Sequence, residues 1–257
     1  MDHTHIVCLL CVLILEFPSK IKLNSKIIMK SKLIVSLMLL ATLASCSKKD
    51  DPLNLDNNQS ASTVTDKDGN IYHTVIIGTQ TWMVENLKTT KYNDGSVIPN
   101  VKAGLEWDNL LTGAYCNYSN DEAYVKTYGR LYNWYSVNTG KLAPKGWHVP
   151  NNADWTILYN YLGGESSGGK LKSKEGWVTP NTGATNESGF SALPAGALYW
   201  GEGYEFDGIG NETRLWSTNQ VNSSDSYHWH LSNLNGSFFK NANSGKESGF
   251  SVRCLKD

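Results

Sequence analysis

What the chain lacks sets its first limits. No run of about twenty apolar residues is present, so no segment has the length of a bilayer-spanning helix. No cluster of Lys and Arg interleaves with aromatics, which argues against a nucleic-acid partner. No HExxH and no P-loop pattern occurs, so a zinc peptidase and a nucleotide-phosphate site have no motif to rest on. Cysteine is scarce: beyond Cys46 only Cys116 and Cys254 remain.

Hydrophobicity concentrates near the N-terminus. Residues 33–45, LIVSLMLLATLAS, follow Lys30 and Lys32 in the basic-then-apolar layout of a secretory signal. The run ends in Leu43-Ala44-Ser45-Cys46, which resembles the lipobox of bacterial lipoproteins. That resemblance implies acylation of Cys46, with the membrane held through acyl chains; a soluble export signal is the alternative. Residues 1–28 fit poorly, since their apolar patch, Ile6 to Leu15, stops at Glu16 and Pro18. They read as translation from a mis-assigned upstream start, with Met29 opening a leader over 29–45; an N-terminal anchor is the rival. Past Cys46, Ser47-Lys48-Lys49-Asp50-Asp51 resembles the surface-export tag of Bacteroidetes-type lipoproteins. It implies the outer membrane, on its cell-surface face rather than its periplasmic face. Residues 46–62 are then the lipidated cysteine and a polar, flexible tether, and 63–257 the folded domain.

Removing residues 1–45 takes away five lysines and two acids, leaving 18 basic against 22 acidic residues and a net charge of −4. Roughly 195 residues after the tether suit one domain with a full-sized core. All nine tryptophans lie in that part. Most tryptophan in such a domain fills core, so aromatic wealth alone is no sugar platform. In an exported protein Cys116 and Cys254 are expected to pair as a disulfide, with two buried free thiols as the alternative.

Local patterns predict an α+β class. Residues 63–77 read as a hairpin turning at Asp66-Lys67-Asp68-Gly69-Asn70, and Gln80 to Val84 continues as a strand. A calcium loop at that turn fails, because Ile71 stands where glycine is needed and Ile77 where the bidentate glutamate belongs. Two main helices are expected. One spans Tyr128 to Val137, with Leu131, Trp134 and Tyr135 on one face. The other is capped by Asn151 or Asn152, buries Trp155, Leu158, Tyr159 and Leu162, and ends at Gly163-Gly164. Beyond residue 176 come short strands and loops, with Arg214–Ser217 and Tyr227–Leu231 in one small antiparallel sheet and Phe250–Cys254 as the last strand.

Spaced motifs run through the second half: GRLYNW (129–134), PKGWHVPNNADWTILYNYLGG (144–164), KLKS (170–173), ESGFSALPAG (187–196), LWST (215–218) and GFSVRC (249–254). Together they resemble the Fibrobacter succinogenes major paralogous domain, a family of bacterial surface lipoproteins. The resemblance implies a loop-rich, C-type-lectin-like fold similar to the formylglycine-generating, sulfatase-modifying enzymes. Those enzymes hold copper with two cysteines close in sequence, and Cys254 has no such neighbour. Without that pair, no cofactor and no catalysis are expected.

Other chemistry is thin. His228 and His230 fall on one face of a strand, but two imidazoles do not make a metal site, and a solvated strand face is the expectation. His148 reads as structural. Recognition is expected in the Gly-rich stretch 201–212, treated as a mobile loop, with Trp200, Tyr204, Glu205, Asp207 and Asn211 as the ligand-binding candidates. Aromatic faces beside carboxylates and amides suit a carbohydrate; a surface protein is the other partner expected. The resulting expectation is a lipid-anchored, non-catalytic surface module. The alternatives are a structural or adhesion part of a surface assembly, and an enzyme with an unrecognised site.

Overall fold

A computed structural model describes residues 62–102, 104–199 and 205–257. Cys46, the leader, the tether up to residue 61, Trp200 and Tyr204 lie outside the described residues.

The expected hairpin forms. Strand β1 (Thr63–Thr65) pairs antiparallel with β2 (Ile71–Ile77), and β3 (Gln80–Met83) follows on the other side of β2. The Asp66 carboxylate takes the backbone N–H of Asp68 and Asn70 and the Tyr72 hydroxyl, which fixes the turn from within. Gly69 sits there at φ 83.

The sequence between the hairpin and the second half is mostly loop, bridged by two-residue strands β4 (Tyr115–Cys116) and β5 (Leu131–Tyr132). The continuous helix expected over Tyr128 to Val137 does not exist. Gly129 stops a four-residue helix, Val125–Tyr128, at φ 78, where a Cβ would lie 2.8 Å from the Leu87 carbonyl oxygen. Leu131 and Tyr132 are then drawn into β5, and Asn133 caps a separate turn, Trp134–Val137. The apolar spacing was real, but it reflects a strand followed by a turn facing one core.

The second expected helix holds. After β6 (Trp147–His148), helix α1 (Asn152–Leu162) opens with a capping box. Asn151 Oδ1 accepts from Asp154 N, and Asp154 Oδ2 accepts from Asn151 N. The helix closes at Gly163 in the left-handed region, and it buries Trp155, Leu158 and Leu162. His148 bridges the Asp257 carboxylate at 2.7 Å and that of Asp154 at 3.3 Å. It ties the C-terminus to the helix start through a partly exposed ring.

The elements from residue 195 onward are all strands: β7 (Ala195–Tyr199), β8 (Glu205–Ile209), β9 (Glu212–Gln220), β10 (Asp225–Ser232), β11 (Phe239–Gly245) and β12 (Leu255–Lys256). One five-stranded sheet has the order β1-β2-β3-β12-β6 and the other β11-β10-β9-β7-β8. Pairing is antiparallel except at β7 and β9, which meet in parallel at Gly196 and Thr213. The architecture is mixed α/β, dominated by curled, mainly antiparallel sheets, with a single helix longer than four residues among the described residues.

Two further expectations are corrected. Phe250 and Ser251 make only isolated bridges to Tyr132 and Leu215, so the last strand is β12, not Phe250–Cys254. That segment threads between the sheets instead: Phe250, Val252 and Cys254 all lie in the main core. Cys116 and Cys254 are free, not bonded. They belong to different apolar clusters, Cys116 beside Trp107 and Leu198 and Cys254 beside Met83 and Val252, which is why no bridge joins them.

Candidate functional site

The stretch expected to be a mobile loop carries a strand. Glu205–Ile209 is β8, paired to β7 with Ala197 opposite Asp207 and Tyr199 opposite Glu205. Gly208 and Gly210, at φ 78 and 82, make the turn into β9, closed by Asn211 N–H donating to the Gly208 carbonyl. At Gly196, φ 63, a Cβ would come within 2.6 Å of the Asp207 carbonyl oxygen, so close packing of β7 on β8 depends on glycine there.

This geometry opens a pocket of about 540 Å³, lined by Tyr199, Asp207, Asn211, Glu212, Arg214, Ser232, Asn233 and Leu234. Two described candidates, Asp207 and Asn211, are brought together in it. Glu205 is exposed and falls outside the lining. Phe206, partly buried, packs on Tyr118 at 5.3 Å between ring centroids and falls outside the pocket lining.

Sequence reasoning missed the centre of the pocket, Arg214. Its guanidinium lies 4.4 Å from the Tyr199 ring centroid and 5.6 Å from that of Phe250. Its Nε donates to Glu212 Oε1 at 3.2 Å, and Glu212 Oε2 meets His230 Nε2 at 2.8 Å. Burial alone would raise the Glu212 pKa, but the hydrogen bond from His230 and the charge of Arg214 outweigh it and hold the carboxyl below its ordinary range. Glu212 is thus a fixed carboxylate, not a mobile acid. The signal available in sequence was the two-residue spacing of Glu212 and Arg214, which puts both on one face of β9.

Asn233 and Ser232 are set from behind. Asn233 N–H donates to the Asn211 carbonyl at 2.8 Å, and its amide nitrogen to the Val178 carbonyl at 3.2 Å. The Ser232 carbonyl accepts from Lys172 Nζ at 2.9 Å.

The histidines of β10 do share a face, with ring centroids 6.4 Å apart, but that face is not solvated. His228 is fully buried, against Ser244 Oγ at 2.7 Å, and Asn241 Nδ2 donates to its Nε2 at 3.3 Å. With Nε2 accepting, Nδ1 carries the proton and donates to Ser244. Among the described residues, no group of three or more His, Cys, Asp or Glu could hold a metal ion.

Residues 164–168, GESSG, have the spacing of a nucleophile elbow, yet Ser166 follows the C-cap of α1 instead of a strand. It is exposed in a single 3₁₀ turn with no histidine among its hydrogen-bond partners. Nothing there supports nucleophilic attack.

The family model of the Fibrobacter succinogenes major domain matches residues 75–256. The chain belongs to this family. Within the Fibrobacter succinogenes major domain of this chain lie the whole pocket, α1 and all of β3 to β12. No curated protein and no solved structure matches it.

Proposed function

We propose that this chain is a lipid-anchored, non-catalytic module of the bacterial cell surface that binds a glycan in the pocket between β7, β8 and β9. One observation carries the proposal: Asp207 and Asn211 share an open, polar pocket with Tyr199, Arg214 and Asn233. Carboxylate, amide and guanidinium groups around one aromatic ring match what a sugar offers, hydroxyls on its rim and an apolar face. The C-type-lectin-like fold implied by the sequence motifs is part of the same proposal. So is the anchor, which rests on Leu43 to Cys46 behind an apolar leader.

Within the pocket Glu212 is locked between Arg214 and His230 as a fixed charge, which supports a binding role there. Leu234, 69% exposed on the pocket rim, favours a second reading in which a surface protein of an adhesion assembly docks there.

A glycan array probed with the full chain in mild detergent tests the leading proposal. Retention on a related set of glycans is expected, and no retention above background contradicts it. Mass spectrometry of the N-terminal peptide should find Cys46 acylated; an unmodified, uncleaved thiol removes the anchor.

A further inference from the structure

Arg253 is a buried cation without an ionic partner. It is 2% exposed, and its guanidinium lies 4.2 Å from the Phe190 ring centroid. Nε and Nη2 donate to Asn86 Oδ1 at 3.2 and 3.0 Å, and Nη1 to the Phe190 carbonyl. All of these acceptors are neutral. A guanidinium has five N–H groups, so two have no acceptor among the described residues. Glu85 is the nearest carboxylate in electrostatic effect. It forms no ion pair with Arg253, because His73 engages both of its oxygens, through N–H at 2.8 Å and Nδ1 at 2.6 Å.

Arg253 lines a cavity of about 150 Å³ together with Glu85, Asn86, Thr127, Ser173 and Ser191. The Ser191 hydroxyl is spent, accepting from the Asn186 amide and donating to the Gly189 carbonyl, and the Glu85 carboxylate keeps acceptor capacity, so the spare donors come from Arg253, Ser173 and Thr127. The Ser173 hydroxyl accepts from Glu175 N–H, which leaves its proton to give. Thr127, an exposed residue, adds a hydroxyl to the lining. The Asn86 amide nitrogen is already committed to the Tyr128 carbonyl and Ser251 Oγ. Two unpaired guanidinium protons beside hydroxyl groups in the lining of one small cavity favour a negative charge. One cation with a carboxylate close by selects a single charge over two, and the size excludes a sugar acid.

We propose that this cavity is a binding site for one compact monovalent anion, a halide or a one-carbon carboxylate, held by Arg253 with Ser173 and Thr127. The site is separate from the pocket at Arg214, and its occupancy stabilises the fold by neutralising a charge the core otherwise leaves uncompensated.

Thermal unfolding of the full chain in mild detergent tests this, with chloride or formate replacing gluconate at constant ionic strength. A saturable rise in Tm of about 3 °C is expected with chloride, with formate or with both. The chloride magnetic-resonance linewidth should broaden with protein and sharpen when formate competes. Arg253 also holds the core together, so the informative variant is Ser173→Ala with Thr127→Val, which should fold and lose most of the anion effect. Equal Tm in all three salts with no broadening overturns the site. So does a full anion effect in the double variant.

Discussion

The Lys172 ammonium donates to the Asn235 carbonyl oxygen at 2.9 Å, across 63 positions of sequence. The same nitrogen reaches the carbonyls of Thr182 at 2.8 Å and Ser232 at 2.9 Å, so all three of its protons are used. Lys172 is fully buried. Lys246, also buried, repeats the arrangement with Gln220 Oε1 and the carbonyls of Asn222 and Ser223. In a domain with so much irregular backbone, buried ammonium groups satisfy loop carbonyls that no ladder reaches.

Replacing Lys172 with Met keeps the length of the stem and removes the donors, which takes the ammonium partner from three carbonyls at once. A loss of about 3 kcal/mol is expected, read from the midpoint of urea unfolding. A loss below about 1 kcal/mol would mean that water or loop movement satisfies these oxygens instead.

Acid should weaken the fold in two stages. Burial, then the charges of Arg214 and His230, hold the His228 pKa well below its ordinary 6.5. Below 6.5 the unfolded chain takes a proton that the native state refuses, so stability is greatest above that pH and falls as pH drops beneath it. Glu212, lowered from 4.5, contributes stability above that value that is lost as pH falls through its folded pKa. Urea midpoints between pH 8 and pH 3 should show both limbs, and His228→Gln should flatten the upper one. An unchanged upper limb in that variant would assign it elsewhere.

Burial raises both remaining thiols far above the ordinary cysteine range. Cys116 and Cys254 should therefore resist an aromatic disulfide reagent until the chain unfolds, and then both be labelled, as peptide mapping of the two sites would show. Reductant should leave Tm unchanged. A reductant-sensitive Tm would restore the disulfide.

The legible parts of this fold are those whose signals are local. Asn151 and Gly163 mark the ends of α1 through caps that act within one helical turn, and Asp66 to Asn70 turn the chain with their own side chains. The illegible parts depend on distant partners. Leu131 and Tyr132 become a strand because Tyr115 and Phe250 lie alongside, and Gly129 breaks the helix under the Leu87 carbonyl. The same holds for the pocket. Asp207 and Asn211 stood out beside aromatics, whereas Arg214 gained its place from the Tyr199 ring and from Glu212, itself held by His230, and only folding brings Tyr199 and His230 near.

Calorimetric titration of the best array glycan is the most direct test of the pocket between β7, β8 and β9. It should compare the native chain, Asp207→Ala with Asn211→Ala, and a Lys126→Ala control on another face. The pocket variant should bind at least about tenfold more weakly, equivalent to about 1.4 kcal/mol, while the control keeps the native Kd. Equal affinity in all three would place recognition somewhere else on the molecule.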